Sequence, residues 1–164
     1  EAYTPQIVLV GDLRIALLGV SNIETPYFAA TDSQPGIAWV DDKRIVDAIK
    51  SVRDIADIVV VVPHWGWEYT ELVSDEQERL AHLMIDAGAD AVIGSHPHHI
   101  QRHENYQGKF IAYSMGNFIF EGVGPNAGWS LGELIKLEIN DQKQITGIES
   151  IPYKISAAGV ASLL

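Results

Sequence analysis

The residues best suited to chemistry in this chain are histidines that follow short apolar runs. His64 comes after the β-branched stretch "DIVVVV" at 57–62, while His96 and His98 stand in "GSHPHH", just after "DAVIG". Neutral imidazoles at one site are ligands for zinc, iron, nickel or related ions. Pro97 stiffens the backbone between His96 and His98, so that both rings can project from one loop. The pattern predicts a metal site formed by these three histidines.

The side chains next to His64 leave several roles open. Glu68 is the acid nearest to His64 in the sequence, and it could orient an imidazole, act as a general base or be a solvated surface carboxylate. Trp65, Trp67 and Tyr69 supply aromatic area that either caps the core or forms a wall of a substrate pocket. The sequence does not choose between these roles.

The other histidines and one asparagine are expected to have ordinary roles. His99 would point away from His98 in an extended segment, which favours solvent or a position behind the ligands. His82 on a helix and His103 in a hairpin are expected to be common surface or partly buried groups. Asn117 belongs to a Gly-Asn pair in "YSMGNF", where a turn is the favoured interpretation over a role in holding the histidine loop.

The elements that must position the three histidines form a predicted β-α-β unit over 57–94. Both apolar runs are short, continuous and β-branched, which is typical of parallel strands buried on both faces. Between them, Ser74 and Gln77 form an S-x-x-Q capping box, and Gly88 stands at the expected helix end. Open α/β sheets bind ligands at the carboxyl ends of their parallel strands, so we expect the histidines to meet there.

The remaining segments predict antiparallel hairpins and a second helix. An amphipathic helix is expected from Asp41, a surface loop over 21–40 and a glycine-rich loop over 121–128. Hairpins are predicted where apolar runs flank a turn signal, at Gly11-Asp12, between 100–106 and 109–114, and between 131–139 and 143–154. The expected fold class is α/β, a mixed β-sheet with a β-α-β unit and flanking antiparallel hairpins.

Composition excludes several classes of function. The 164 residues fit one domain, and 22 acidic against 11 basic residues give a formal charge of −11, so nucleic acid is not expected as a partner. Cysteine is absent, which excludes disulfides, thiolate ligands and a cysteine nucleophile. Arg102, His103 and Lys109 are the clustered basic residues that could meet a polyanion, although solvated hairpin charges are the favoured interpretation.

Three segments resemble a known family. "PHWGWEY", "GADAVIGSHPHHIQ" and "YSMGNFIF", within a stretch from about Val8 to Phe120, resemble the CapA family of bacterial poly-γ-glutamate capsule biosynthesis proteins, part of the calcineurin-like metallophosphatase superfamily. The resemblance implies a four-layer α/β/β/α sandwich with two divalent ions, such as Mn, Fe or Zn. It implies that His64 and His96 bind one ion and that His98 binds the other.

Further positions match the family near the implied site. Glu68 and Tyr69 fall on its recurring Glu-Tyr pair, and Ser114, Gly116, Asn117 and Phe118 fall on its S-x-G-N-F pattern. The resemblance places these positions near the site without assigning them a catalytic role. The candidate catalytic residues are His64, His96 and His98, together with Glu68 because of its closeness to His64 in the sequence.

The chain departs from the family pattern at its N-terminal end. Family members begin with a Gly-Asp segment, followed tens of residues later by an Asn-x-Glu segment, and these supply carboxylate and amide ligands. Asp12, Asn22 and Glu24 look similar but are too close together, and Gly11-Asp12 fits a hairpin turn better. The expectation is that residues 1–164 are the C-terminal portion of a larger domain, without its N-terminal metal-ligand segment, and bind metal incompletely.

Two functions follow from the resemblance as expectations. The first is a metal-dependent hydrolase that acts on a phosphoester or a polyglutamate-type amide in capsule synthesis. The second is a non-catalytic structural or polymer-binding component of a capsule synthesis and export complex. Family members are usually held at the extracellular face of the bacterial membrane or at the cell surface. A homo-oligomer that forms through an exposed sheet is a further expectation.

Overall fold

A computed structural model of the chain describes residues 1–23, 26–120 and 129–164. The glycine-rich loop predicted at 121–128, and Glu24, lie outside the described residues. The elements are β1 (Gln6–Val10), β2 (Leu13–Ser21), a 3-10 turn (Pro26–Phe28), α1 (Asp42–Val52), β3 (Ile58–His64), α2 (Asp75–Ala87), β4 (Ala91–Ile93), β5 (His103–Tyr106), β6 (Lys109–Ala112), β7 (Leu131–Ile139), β8 (Ile145–Ile155) and β9 (Ala161–Leu163).

Six strands form one mixed sheet in the order β1-β2-β3-β4-β6-β5. The central strands β2, β3, β4 and β6 run parallel, whereas β1 and β5 pair antiparallel at the edges. Val59 and Val61 are buried on one face of β3, and Ile58 and Val60 are buried on the other, as expected for a central parallel strand covered on both faces. The predicted α/β fold, with its β-α-β unit and flanking hairpins, is confirmed.

The two helices cover one face of this sheet. Helix α1 begins at Asp41, whose carboxylate accepts a hydrogen bond from Arg44 N, and α2 begins with the predicted capping box of Ser74 and Gln77. Gly88 ends α2 in the left-handed conformation, with φ of 116°. Apolar residues of both helices and of the sheet form one buried cluster, which includes Ile45, Ile49, Leu80, Met84, Val59, Val61, Val92 and Ile111.

A second sheet, in the order β7-β8-β9, covers the opposite face. Ile58, Val60, Ala91, Ile93 and Ala112 of the first sheet pack against Ile135, Leu137, Ile139 and Ile145. The described residues therefore form a helix layer and two sheet layers, three of the four layers that the resemblance implies. No helix among them is long and apolar enough to cross a lipid bilayer.

One local prediction was wrong. The sequence places His64 two residues past its strand, but it is the last residue of β3, because β2 continues beside it and Ser21 pairs with His64. That pairing joins segments distant in sequence, which local composition does not encode. The described part of 22–40 is mostly exposed or half-buried loop, as predicted, and bridges join Ser21 to Trp39 and Ala29 to Ile37. The hairpin turn predicted at Gly11-Asp12 is confirmed.

Candidate metal centre

The three predicted histidines meet at the carboxyl edge of the parallel strands. His64 ends β3, and a bridge from His64 to Ser95 aligns it with the loop that carries His96 and His98 after β4. Together with Glu68, from the loop after β3, these histidines line a cavity of about 880 Å³. This is the edge at which open α/β sheets bind ligands.

The histidine rings are linked to each other and to the loops. His96 Nδ1 lies 3.2 Å from His64 Nε2, and His64 Nδ1 lies 3.1 Å from Ser95 Oγ. The two facing ring nitrogens of His96 and His64 can share one proton, so neutral rings suit this contact. Ser95 stands between "VIG" and His96, a position that carries no sequence signal beyond that of an ordinary loop serine.

Asn117 fixes the orientation of His98, which the sequence analysis did not favour. The Asn117 amide donates from Nδ2 to Trp129 O at 3.0 Å, which directs its Oδ1 toward His98 Nδ1 at 2.7 Å. Because Oδ1 is an acceptor, His98 Nδ1 carries the proton, and Nε2 of the neutral ring keeps its lone pair for a metal. The sequence feature that could have indicated this role of Asn117 is the Gly-Asn pair, but from sequence alone a turn explains that pair equally well.

The donor set fits a divalent ion. One donor atom each from Glu68, His96 and His98 lies within 4.8 Å of the others, and His98 Nε2 is 3.8 Å from Glu68 Oε1. Two imidazoles and a carboxylate are a common donor set for zinc and non-haem iron. His64 is not one of these three donors, but it contacts the group because its Nε2 lies 3.2 Å from His96 Nδ1. The implied division of the histidines between two ions stays a prediction.

The surroundings of His64 favour its neutral form by lowering its pKa. Partial burial of its ring, which still opens into the cavity, lowers its pKa, and repulsion from His96 and His98 lowers it further. A neutral imidazole is the form that binds a metal ion.

The loops around the cavity hold unusual backbone conformations. Tyr69, His96 and His98 have φ of 61°, 102° and 60°, which side-chain-bearing residues rarely adopt. The Tyr69 N–H donates to Pro97 O at 2.8 Å, so the two loops stabilise one another. Strained residues of this kind persist only where the surroundings impose them, and they cluster at functional sites.

The three aromatic residues near His64 have different surroundings. Trp65 is fully buried, and its Nε1 donates to Tyr113 O at 2.8 Å, so it belongs to the core. Tyr69 stacks on His98 with ring centroids 5.4 Å apart, and on Trp129 at 4.1 Å. Trp67 is exposed. Of the two roles that the sequence left open, capping the core holds for Trp65, whereas Tyr69 supports a histidine of the site.

The other predicted residues lie outside the cavity lining. His82 contacts Glu104 at 2.7 Å, His103 contacts Glu133 at 2.6 Å, and His99 Nδ1 is 3.9 Å from Glu71. Among the polar candidates of the N-terminal region, Asp12 lies in the β1-β2 turn and Asn22 lines a different cavity. Arg102 and Lys109 each contact carboxylates, which suits the interpretation as hairpin charges.

Comparison of the sequence with known proteins identifies its family. The family model described as "Bacterial capsule synthesis protein PGA_cap" matches residues 1–122. The PGA biosynthesis protein CapA of Bacillus subtilis (strain 168) is 42% identical over 112 residues, which cover 68% of this chain and 30% of that protein. The capsule biosynthesis protein CapA of Bacillus anthracis is 40% identical over 116 residues, with 68% and 28% covered. The chain thus spans less than a third of these relatives' length.

A solved structure supports the fold. Sulfate thiohydrolase SoxB of Thermus thermophilus superposes with a TM-score of 0.58 at 18% identity, over 90% of this chain and 24% of that protein. At this identity the likeness shows the fold alone, which is metallophosphatase-like. With a family model that matches 122 of 164 residues, the chain belongs to the bacterial capsule synthesis protein family PGA_cap, as its resemblance to CapA proteins implied.

Proposed function

We propose that this chain contributes the histidine-rich part of a metal-dependent hydrolytic centre that acts in bacterial capsule synthesis. The observation that carries the proposal is the convergence of Glu68, His96 and His98, whose donor atoms lie within 4.8 Å of one another in a cavity. The substrate on this proposal is a phosphoester or a polyglutamate-type amide, in line with the capsule polymers named for the relatives.

The residues of this chain have different proposed roles at this centre. His96, His98 and Glu68 would hold a divalent ion of the Mn, Fe or Zn type, with His64 behind them. Such an ion supplies polarisation of a substrate oxygen and lowers the pKa of a water molecule. Asn117 keeps His98 in the tautomer that binds metal. Glu68, half-exposed at the cavity, is either a ligand or a base that accepts a proton from water.

The charge of the donor set limits what these residues can hold alone. Three neutral imidazoles and one carboxylate provide little negative charge for two divalent ions. We therefore propose that further carboxylate or amide ligands come from sequence outside these 164 residues, and that this chain by itself binds one ion weakly or none. Calorimetric titration with Mn²⁺ and Zn²⁺ tests this, and two tight sites per chain would contradict it.

The catalytic proposal is tested in the full-length protein that contains these residues. We expect His96→Ala and His98→Ala to abolish capsule formation while the protein stays folded, because both rings are ligands. His82→Ala is the control, since His82 pairs with Glu104 outside the cavity. Normal capsule in the His96 and His98 variants would instead favour a non-catalytic, structural or polymer-binding role.

The proposal also includes a cellular location and partner proteins. Capsule polymers lie outside the cell, so we place the centre at the extracellular face of the bacterial membrane or at the cell surface. Proteins of the capsule synthesis and export machinery are the proposed partners. Protease treatment of intact cells and of lysed cells would locate the chain. If the chain resisted the protease in intact cells but not in lysed cells, the surface location would be contradicted.

A further inference from the structure

The cavity has an apolar side as well as its histidine side. Five residues form what we call the apolar wall, namely Ile23, Tyr27, Phe28, Pro35 and Ile37, and all of them line the same cavity as the metal ligands. Tyr27 and Phe28 stand on the 3-10 turn with their rings edge to face, at 5.7 Å between centroids. Apolar and aromatic side chains beside a few polar groups are typical of a small-molecule site.

Backbone pairing fixes the apolar wall. Ile37 N donates to Phe28 O and Ala30 N donates to Ile37 O, both at 2.9 Å. Gly36 packs so closely that an added Cβ would lie 2.4 Å from Phe28 O. The backbone that carries Phe28 and Ile37 is therefore pre-organised, which reduces the conformational freedom lost when a ligand binds.

The same pairing connects the apolar wall to the metal ligands. Ser21 pairs with His64 on one side and forms a bridge to Trp39 on the other. Ser21 N donates to Ala38 O, and Val40 N donates to Ser21 O, each at 3.0 Å. The wall and His64 are thus held in one register through β2, so a ligand can meet both at once.

The charge of the cavity disfavours a second anionic group. The described lining residues include Glu68 but no lysine or arginine. The stretches outside the described residues, 24–25 and 121–128, also contain neither lysine nor arginine in the sequence. A ligand carboxylate placed against the apolar wall would lose water without gaining a counter-ion from the lining residues that this chain supplies, and the chain has a formal charge of −11.

We infer that the site takes a substrate in which an apolar group, aliphatic or aromatic, adjoins the oxygen-bearing group that meets the metal ligands, with no second negative charge. This inference rests on the proposed function and narrows it, because it favours a small ester or amide with an apolar part over the interior of a polyanionic chain. Tyr27 and Phe28 are the residues that determine this specificity.

Binding of phosphonates to the full-length protein tests the inference without any assay of turnover. Calorimetry first measures Mn²⁺ binding alone, then the binding of two matched pairs of probes to the Mn²⁺-loaded protein. We expect phenylphosphonate to bind about tenfold more tightly than methylphosphonate, the gain expected for burial of an aromatic ring. We expect propylphosphonate to bind more tightly than 2-carboxyethylphosphonate, which has a similar length and one more charge.

Variants assign the effect to the apolar wall. Tyr27 and Phe28 are 86% and 53% exposed, so the double variant Tyr27→Ala/Phe28→Ala leaves no cavity in the core. It should reduce the phenyl-to-methyl ratio to near one with unchanged Mn²⁺ binding. The control Leu163→Ala, at an exposed residue of β9, should leave the ratio unchanged.

The outcomes separate the two proposals. If wild-type protein binds Mn²⁺ but does not distinguish the phosphonates within either pair, the inference about the apolar wall is overturned while the metal centre stands. The same holds if the double variant retains the wild-type ratio. If wild-type protein binds no Mn²⁺, the proposed function itself fails.

Discussion

At the scale of single residues, the histidine cluster depends on residues that are not themselves candidate metal ligands. His98 has a single outward nitrogen available because Asn117 holds the other one at 2.7 Å. The Asn117 backbone is itself anchored, since Tyr153 Oη donates to Asn117 O at 2.6 Å. The tautomer of His98 is thus set by a residue of the S-x-G-N-F segment, which is in turn held by β8.

Asn117→Ala should weaken metal binding by about 10- to 100-fold, the usual effect of removing a group that orients a ligand. Asn117→Asp should restore much of the affinity, because a carboxylate also accepts the hydrogen bond from His98 Nδ1. Calorimetric titration of the full-length protein with Mn²⁺ measures both variants. Asn140→Ala is the matched control, since Asn140 Oδ1 accepts a turn hydrogen bond from Gln144 N. Equal metal binding by Asn117→Ala and wild type would exclude the positioning role.

Asp90 is a residue whose charge stabilises the fold. Burial opposes ionisation of Asp90, but hydrogen bonds from Lys109, Arg53 and Val59 N outweigh it and hold the pKa below its usual value. The folded pKa is therefore lower than the unfolded one. The resulting stabilisation is present above pH ~4 and is lost as the pH falls through the folded pKa.

Asp90→Asn should lower the free energy of unfolding by about 1–3 kcal/mol at pH 7, because Arg53 and Lys109 lose their counter-ion. The same variant should lose less stability than wild type between pH ~5 and ~2.5, since it lacks the titrating group. Urea unfolding across this pH range measures both effects. Asp47→Asn, in an exposed pair with Lys43, should change stability by less than about 0.5 kcal/mol. Parallel pH profiles for Asp90→Asn and wild type would contradict the assignment.

At the scale of elements, the sequence predicted those that are specified by local signals. The capping box at Ser74, the stop at Gly88 and the β-branched run of β3 each follow from neighbouring residues, and the structure has them where expected. The convergence of His64 with His96 followed from topology, because parallel strands share an edge.

The parts that sequence reasoning missed depend on contacts between distant segments. The bond between Asn117 and His98 crosses 19 positions, and no local pattern distinguishes it from a turn. The apolar wall likewise depends on a bridge from Ala29 to Ile37 inside a segment that looks like a surface loop by composition. Prolines and glycines there mark tight packing as well as turns.

A buried pair of amides connects α2 to the loop that carries Glu68. Gln101 Oε1 accepts from Gln77 Nε2 at 2.8 Å, and Gln101 Nε2 donates to Leu72 O at 2.7 Å and to Thr70 O at 3.3 Å. Gln101 is almost fully buried. The helix start and the loop are thus joined by polar groups with no access to water.

Gln101→Leu should destabilise the chain by about 1–3 kcal/mol, since it leaves the buried Gln77 Nε2 without its partner and removes the hydrogen bonds to Leu72 O and Thr70 O. Chemical denaturation measures this loss. Gln142→Leu, in the exposed β7-β8 turn, is the control and should stay within about 0.5 kcal/mol of wild type. A Gln101→Leu variant as stable as the control would show that the amide pair does not anchor the loop.

At the scale of the whole molecule, the surface is strongly acidic but one sheet edge is not. The formal charge of −11 makes copies of the chain repel one another at low ionic strength. Strand β1, however, consists of five exposed, uncharged residues, and among the residues that the structure describes it pairs only with β2. An uncharged edge strand offers unpaired N–H and C=O groups to another strand, and it lacks the lysine or proline that commonly prevents such pairing.

We therefore expect two copies of this chain to associate through β1, and the association to strengthen as salt screens the repulsion between them. Leu9→Lys should reduce this association, because it places a charge in the middle of the edge strand. Sedimentation velocity at several protein and salt concentrations measures the effect. Leu72→Lys is the control, since Leu72 is 72% exposed in a loop and Leu9 is 67% exposed in β1. If both variants reduce association equally, the change in net charge explains the result and the β1 edge does not.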